Sequence, residues 1–250
     1  MSNISQRKHL RNKDLIPQDK LDSVTVVGLG GIGSSIVMLL SIMGFKHIRG
    51  YDDDIMEEHN FGTTLYAEDW YSNTITNNDN SKANMADHVV KSYGGSNIES
   101  EMLNDKFLGY GQVLSPKTIV CTDDMDSRKL VYENWLEYEE REVFIDLRMD
   151  ALTMSCITTT KNSDVYMKHW FPPGGSGEEA PCTMKHTIFC ANLIAGLGVS
   201  QLFNFLTKRP FYQYIWQGLS PLDMRMEDFH SGEDNEINNH IITEEYAYAN

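Results

Sequence analysis

The stretch Val24-Thr25-Val26-Val27-Gly28-Leu29-Gly30-Gly31-Ile32-Gly33-Ser34-Ser35 limits the possible folds more than any other in the chain. Its apolar and β-branched opening fits a strand buried on both faces of a parallel sheet. Gly28, Gly30 and Gly33 then have the GxGxxG spacing of a tight turn that opens a helix, here about Ser34 to Met43. Glycine lets a backbone turn this sharply and approach a phosphate closely. The helix N-terminus directs unpaired N–H groups and positive partial charge at the same point. The pattern therefore predicts an anionic ligand at the turn. After Gly44 as a helix stop, Lys46 to Tyr51 reads as a second strand, which completes a right-handed βαβ unit. Asp52-Asp53-Asp54 follows about twenty residues past the glycines, where an acidic side chain commonly holds a ribose hydroxyl.

A chain of 250 residues suits one large α/β domain. Its net charge of −15, from 36 acidic and 21 basic residues, opposes non-specific binding to nucleic acid or to anionic membrane. Part of that charge lies in Glu227 to Glu245, so residues 227–250 are expected to be an acidic C-terminal tail. Residues 1–22 are polar, read as an N-terminal arm, and lack the apolar segment of a secretory signal. Cys121, Cys156, Cys182 and Cys190 include no CxxC pair, which fits a reducing cytoplasmic setting. Val24 to Phe45 and Ile188 to Thr207 are long enough to cross a bilayer. The glycine turn interrupts the first, and Asn192, Gln201 and Asn204 punctuate the second, so both read as core elements.

Further along, Ser72 to Asn80 has the composition of a loop. A helix begins at Ser81 with Met85, Val89 and Val90 on one face and Lys82 in its first turn. A cation there opposes the helix dipole; an anionic ligand would explain it, and an ordinary surface lysine is the plain alternative. Thr118 to Cys121 reads as a strand and about Ser127 to Glu140 as a helix, which puts Asp123 beyond the strand's carboxyl end. Open parallel sheets bind ligands at that end, although an aspartate there also suits a helix N-cap. Val143 to Leu147 suits a strand, Ala151 to Thr160 a strand or hairpin, and residues 171–182 form a Gly/Pro-rich loop ending at Cys182. Thr187 to Leu206 reads as a helix and Phe211 to Trp216 as the last strand. The expected architecture is Rossmann-like α/β, a mostly parallel sheet with helices on both faces, over residues 23–226, with a mobile crossing loop at 171–186.

In this order the motifs Gly28 to Gly33, Asp52 to Asp54, Asn60-Phe61, Ser81-Lys82-Ala83 and Cys121-Thr122-Asp123-Asp124 with Arg128 resemble the ThiF/MoeB/HesA family. These are adenylating enzymes related to ubiquitin-activating enzymes. Past residue 150 the likeness reduces to a cysteine, Cys182, ahead of a long apolar helix. The resemblance implies binding of ATP and Mg2+ and adenylation of the C-terminal glycine carboxylate of a small ubiquitin-like or sulfur-carrier protein ending in Gly-Gly, with release of pyrophosphate. By the same resemblance, Gly28, Gly30, Gly31 and Gly33 cradle the nucleotide and Asp52 holds the ribose with Asp54 beside it. Asn60 and Lys82 contact phosphates, Asp123 holds Mg2+, and Arg128 braces the loop around Asp123. Catalysis then rests on Asp123 and Lys82, and Cys182 is the candidate for a later thiol step, with Lys185 and His186 to lower its pKa if they lie close. A homodimer is implied on the same ground.

Two departures from the family pattern keep alternatives open. Thr63 stands where the family carries an arginine for the γ-phosphate, and threonine cannot replace a forked cationic donor. Arg148, or an arginine from the N-terminal arm of a second subunit, is what remains to supply that charge. A catalytically impaired scaffold that binds nucleotide or a partner therefore stands beside the active enzyme. The paired CxxC motifs of a structural zinc are also missing, and the i, i+4, i+8 spacing of Cys182, His186 and Cys190 is too weak to replace them, so no zinc site is expected. An NAD(P)-dependent oxidoreductase would account for the glycines and Asp52 but would leave Lys82 and Asp123 unexplained.

Overall fold

The structure, a computed structural model, describes residues 8, 9, 12, 14–75, 80–170 and 187–232, with the backbone alone for 72–75. Strands β1 (Ser23–Val27), β2 (His47–Tyr51), β3 (Glu99–Leu103), β4 (Lys117–Val120), β5 (Val143–Asp150), β6 (Thr153–Thr160), β7 (Phe211–Leu219) and β8 (Leu222–His230) form one sheet. Its order is β3-β2-β1-β4-β5-β6-β7-β8. The first five strands in that order pair in parallel. The last three join by antiparallel pairing. Helices are α1 (Gly31–Met43), α2 (Glu68–Ile75), α3 (Lys82–Gly94), α4 (Met125–Glu137), α5 (Val165–Lys168) and α6 (Ile188–Leu206).

Period-two alternation assigns each sheet residue to one of two cores. Val24, Val26, Ile48, Ile119 and Ile145 face one way, packing with Ile36 and Leu40 of α1, Val89 of α3, and Ile194 and Leu202 of α6. Val27, Val120 and Phe144 face the other way, against Val131 and Trp135 of α4 and Tyr166 of α5. The helices thus cover both faces of a mostly parallel sheet, as the sequence predicts. Ile188–Leu206 is long and apolar enough to cross a membrane, with a mean hydropathy of 1.5. In the fold its Cys190, Ile194, Gly198 and Leu202 are buried. A Cβ added at Gly198 would lie 2.7 Å from the Leu147 side chain, so the glycine lets α6 approach β5 closely.

β1 has β2 on one side and β4 on the other, because the chain runs outward through β2 and β3 and then returns across β1. This reversal makes the carboxyl end of β1 the switch point of the sheet, where a crevice opens. The glycine turn lies there.

Four expectations need correction. Ser72 to Ile75, expected in a loop, belong to α2, whose first turn carries Glu68 and Asp69. Acidic residues near a helix N-terminus favour the dipole and outweigh a weakly helical Ser/Asn/Thr composition. Phe211 to Trp216 is not the last strand: β7 continues to Leu219 and pairs with β8. The acidic tail therefore does not begin at Glu227, which is paired with Tyr214 inside β8. β3 was not expected at all. It is an edge strand in register with β2, from His47 opposite Glu99 to Tyr51 opposite Leu103.

Candidate functional site

The turn after β1 is built by its glycines in three different ways. Gly28 has φ +92°, and a Cβ there would lie 2.8 Å from the Cys121 and Thr122 backbone, so close passage beside β4 requires glycine. A Cβ on Gly33 would overlap the Gly28 carbonyl oxygen; this glycine packs the helix onto the turn. At Gly30 a Cβ would meet nothing within 4 Å among the described residues. The backbone there borders open space among the described residues, at the N-cap of α1, where Gly30 has no side chain to cap the helix. Uncapped N–H groups facing an open volume are what a phosphate requires. Gly31 is hemmed in by the Thr63 carbonyl, 2.8 Å from its would-be Cβ, so the 60–65 segment closes over the start of α1.

Three further segments converge on the turn. Asp52, at the end of β2, accepts a 2.6 Å hydrogen bond from the Leu29 N–H through Oδ2 and one of 3.0 Å from the Asp54 N–H through Oδ1. Burial raises the pKa of its carboxyl, against the opposing influence of Lys82 and these two bonds. Tyr66 donates to the Leu29 carbonyl at 2.5 Å, and the Ser34 hydroxyl accepts from the Leu65 N–H at 3.1 Å. Asn60 closes a short 3-10 turn, its Oδ1 accepting from the Glu57 N–H at 2.9 Å and its carbonyl accepting from the Thr63 and Thr64 hydroxyls. Lys82 begins α3 after the Ser81 N-cap, and its N–H donates to the Asp54 carbonyl at 2.9 Å. Its ammonium pairs with Asp54 Oδ2 at 2.5 Å. Part of the unfavourable placement of Lys82 against the helix dipole is thereby answered within the protein, by Asp54.

β4 supplies the opposite wall. Cys121 has its thiol pKa pushed up to about 12 by burial, so it is not a nucleophile at neutral pH. The N-cap of α4 is Asp124, whose Oδ1 accepts from the Ser127 N–H at 2.9 Å. Asp123 is thus released from capping and stands exposed beyond the strand end. Arg128, 5% exposed, reaches back from α4 and donates to the Thr122 carbonyl, to the Leu147 carbonyl at 3.1 Å and to the Asp146 carboxylate. It braces the loop around Asp123, as the sequence suggests.

Asp146 was missed from the sequence. Fully buried on β5, it receives Arg128, Arg148 Nε and Nη2 at 2.9 and 2.6 Å, and the Tyr166 hydroxyl at 2.8 Å. Burial pushes its pKa up, but Arg128 and Arg148 outweigh this and hold it below the ordinary range. Its sequence signal was a carboxylate inside the apolar run Val143 to Leu147, since a buried carboxylate demands a counter-charge. Arg148 is committed to this hub and to the face of Trp170, 5.4 Å from the ring centroid. Cys182, with Lys185 and His186, lies outside the described residues.

The residues present fit a nucleotide: an open cradle at Gly30, a helix start with no N-cap side chain, a half-buried carboxylate at the end of β2, and Lys82. For a divalent cation they offer exposed Asp123 on one wall and, on the other, Asp52, Asp53 and Asp54, whose carboxylate oxygens lie within 4.8 Å of one another.

Comparison with solved structures gives the same fold at low identity. A PaaA crystal structure superposes with a TM-score of 0.65 at 15% identity, covering 92% of this chain and 75% of that one. E. coli MccB with AMPCPP and MccA gives 0.66 at 13%, covering 95% and 75%. The microcin C7 biosynthetic enzyme MccB in complex with N-formylated MccA gives 0.66 at 16%, covering 90% and 72%. No curated protein matches the sequence. The ThiF family model matches residues 9–237, a span that contains the whole sheet and the glycine turn, and this chain belongs to the ThiF family.

Proposed function

We propose that the chain is an ATP-dependent adenylyltransferase that activates the C-terminal carboxylate of a peptide or small protein. The observation that carries this reading is the open space at Gly30 beside the start of α1, with Asp52 tied to the neighbouring Leu29 N–H. In the reaction a carboxylate oxygen attacks the α-phosphorus, and the bond from that phosphorus to the bridging oxygen breaks. Pyrophosphate leaves with the electron pair. No protein nucleophile is needed, so the chain contributes position and charge. The glycine turn and the start of α1 would hold phosphate oxygens, Asp52 the ribose, Asn60 and Lys82 the phosphates, and Asp123 Mg2+. Bound Mg2+ supplies charge neutralisation on the phosphates.

Lys82 has a specific part in this reading. Its partner Asp54 is exposed, so the ammonium can exchange one carboxylate contact for a phosphate at small cost. The family resemblance extends the reading to a ubiquitin-like or sulfur-carrier partner ending in Gly-Gly, to a homodimer, and to Cys182 as acceptor in a following step. MccB, solved with MccA, supports the broader class of peptide substrates. Arg128 and Arg148 are both bound to Asp146, which favours an arginine from the N-terminal arm of a second subunit as the source of the cation missing at Thr63. The same commitment of both arginines favours, as second reading, a nucleotide-binding scaffold.

Thermal unfolding with Mg-ATP, with ATP plus chelator, and with NAD(H) tests the site, because ligands of the native state raise its melting temperature. Magnesium-dependent stabilisation by ATP that is lost in Asp123→Asn is expected. Stabilisation by NAD(H) alone would overturn the proposal. Pyrophosphate exchange with Gly-Gly-ending and other C-terminal peptides then separates enzyme from scaffold.

A further inference from the structure

A second concavity lies at the opposite end of the sheet. Its walls come from the amino ends of β4 and β5, the end of β6, the last turn of α6 and the end of β8, and its volume is about 680 Å3. That is within the range of small-molecule sites. Phe205, Leu206 and Phe211 give it an apolar floor, and His230 stacks on Phe211 with ring centroids 4.7 Å apart.

The surrounding charge runs against that of the chain. Lys20, Lys117, Arg141, Lys161 and Lys208 line the cavity against Asp19, Asp22 and Glu142, in a protein of net charge −15. Among the described residues only Lys117 is ion-paired: it is 2% exposed and holds Asp22 at 2.7 Å and Glu142 at 3.2 Å. The other four cations have no carboxylate partner among the described residues. Lys20 donates to the Leu206 carbonyl and Lys161 to the Glu139 carbonyl, each at 2.8 Å. An ammonium has three donors, so each retains capacity after that bond. Arg141 donates to the Tyr138 carbonyl at 3.1 Å, while its buried Nε–H has no partner among the described residues.

Lys208 is the most unusual member. It has φ +55° at the end of α6, where the Arg209 N–H bonds the Asn204 carbonyl at 2.8 Å and its own N–H bonds the Phe205 carbonyl at 3.1 Å. This is a Schellman turn, whose left-handed position favours glycine. A lysine is held there instead, with its side chain bonded to no described residue and its charge at the cavity wall. Bonds to main-chain carbonyls explain Lys20 and Lys161 in part, and Arg141 lies over the Trp135 ring, 5.9 Å from its centroid; Lys208 remains unexplained.

We propose that this cavity is a second ligand site, which binds a small polyanion carrying an apolar or aromatic portion. The cations hold its phosphate or carboxylate groups, and the floor of Phe205, Leu206 and Phe211 takes the apolar part. The site is separate from the glycine turn and does not depend on the adenylation reading.

Amide chemical shifts of the full chain test this, with phenyl phosphate and benzene-1,3,5-tricarboxylate as probes that separate phosphate from carboxylate recognition. At least one is expected to give saturable shifts at Lys161, Lys208 and Gly232, with a dissociation constant below about 1 mM. The double variant Lys161→Gln/Lys208→Gln, at exposed positions, should weaken it about tenfold at constant ionic strength. Its amide spectrum elsewhere reports that it is folded. No saturable shift at these residues with either probe, or equal affinity in the folded variant, overturns the proposal.

Discussion

Replacing Asp146 with Asn keeps the shape of the side chain and removes the charge that two guanidinium groups share. Arg128 and Arg148 have side chains only 6% and 14% exposed, so neither recovers solvation without moving. The new amide NH2 also meets donors where a carboxylate oxygen accepted them. Removing one partner of a buried ion pair costs about 3–5 kcal/mol, chiefly because the other charge stays buried and uncompensated. In a domain of this size about 2–4 °C is lost per kcal/mol, so a fall of about 10 °C in Tm is expected. Acid dependence gives a second handle. The Asp146 carboxyl is held below its ordinary value of 3.8, so its contribution is complete above that value and is lost as pH falls through the lower, folded-state pKa. The Tm gap between wild type and Asp146→Asn should therefore narrow as pH drops from 7 to below about 3. Scanning calorimetry at several pH values measures both. A fall of less than about 2 °C, or a gap independent of pH, would refute the hub.

Other outcomes follow from the same geometry. Lys82→Gln should change Tm by less than about 3 °C, because its partner Asp54 is 65% exposed, yet weaken ATP binding about tenfold by titration calorimetry. Cys121 and Cys156, both with thiol pKa values near 12, should resist iodoacetamide at pH 8 in the folded protein, as read by peptide mass spectrometry. Cys182→Ala should spare adenylate formation and abolish any thioester or persulfide product; a covalent product that persists would remove that cysteine from the reaction.

The parts of the fold that were legible are those whose residues satisfy local and tertiary demands together. β1, the glycine turn and α1 are one such run, since the glycines are required by contacts as close as 2.8 Å from Gly28 to the Cys121 backbone. β3 was not legible: Glu99-Ser100-Glu101-Met102-Leu103 is acidic, and His47 and Arg49 on the neighbouring strand bind Glu101 at 3.0 and 2.7 Å. No local window contains those partners. β8 did carry a signal, because Leu222, Met224 and Met226 alternate with Asp223, Arg225 and Glu227. The acidic composition that follows masked it. Within the site, Asp123 and Lys82 could be placed by their elements, whereas the pairing of Lys82 with Asp54 depends on the bridge of Ile55 to Ser81, a tertiary contact.

The most direct test of the nucleotide site uses Gly30, where a methyl group meets nothing within 4 Å among the described residues. Titration calorimetry of Mg-ATP into wild type and Gly30→Ala, with Tm measured for both, separates folding from binding. If the open space at Gly30 belongs to a phosphate, Gly30→Ala keeps Tm within about 3 °C and loses at least about tenfold in affinity for Mg-ATP. Unchanged affinity in the folded variant, or no Mg-ATP binding by wild type, would contradict the account.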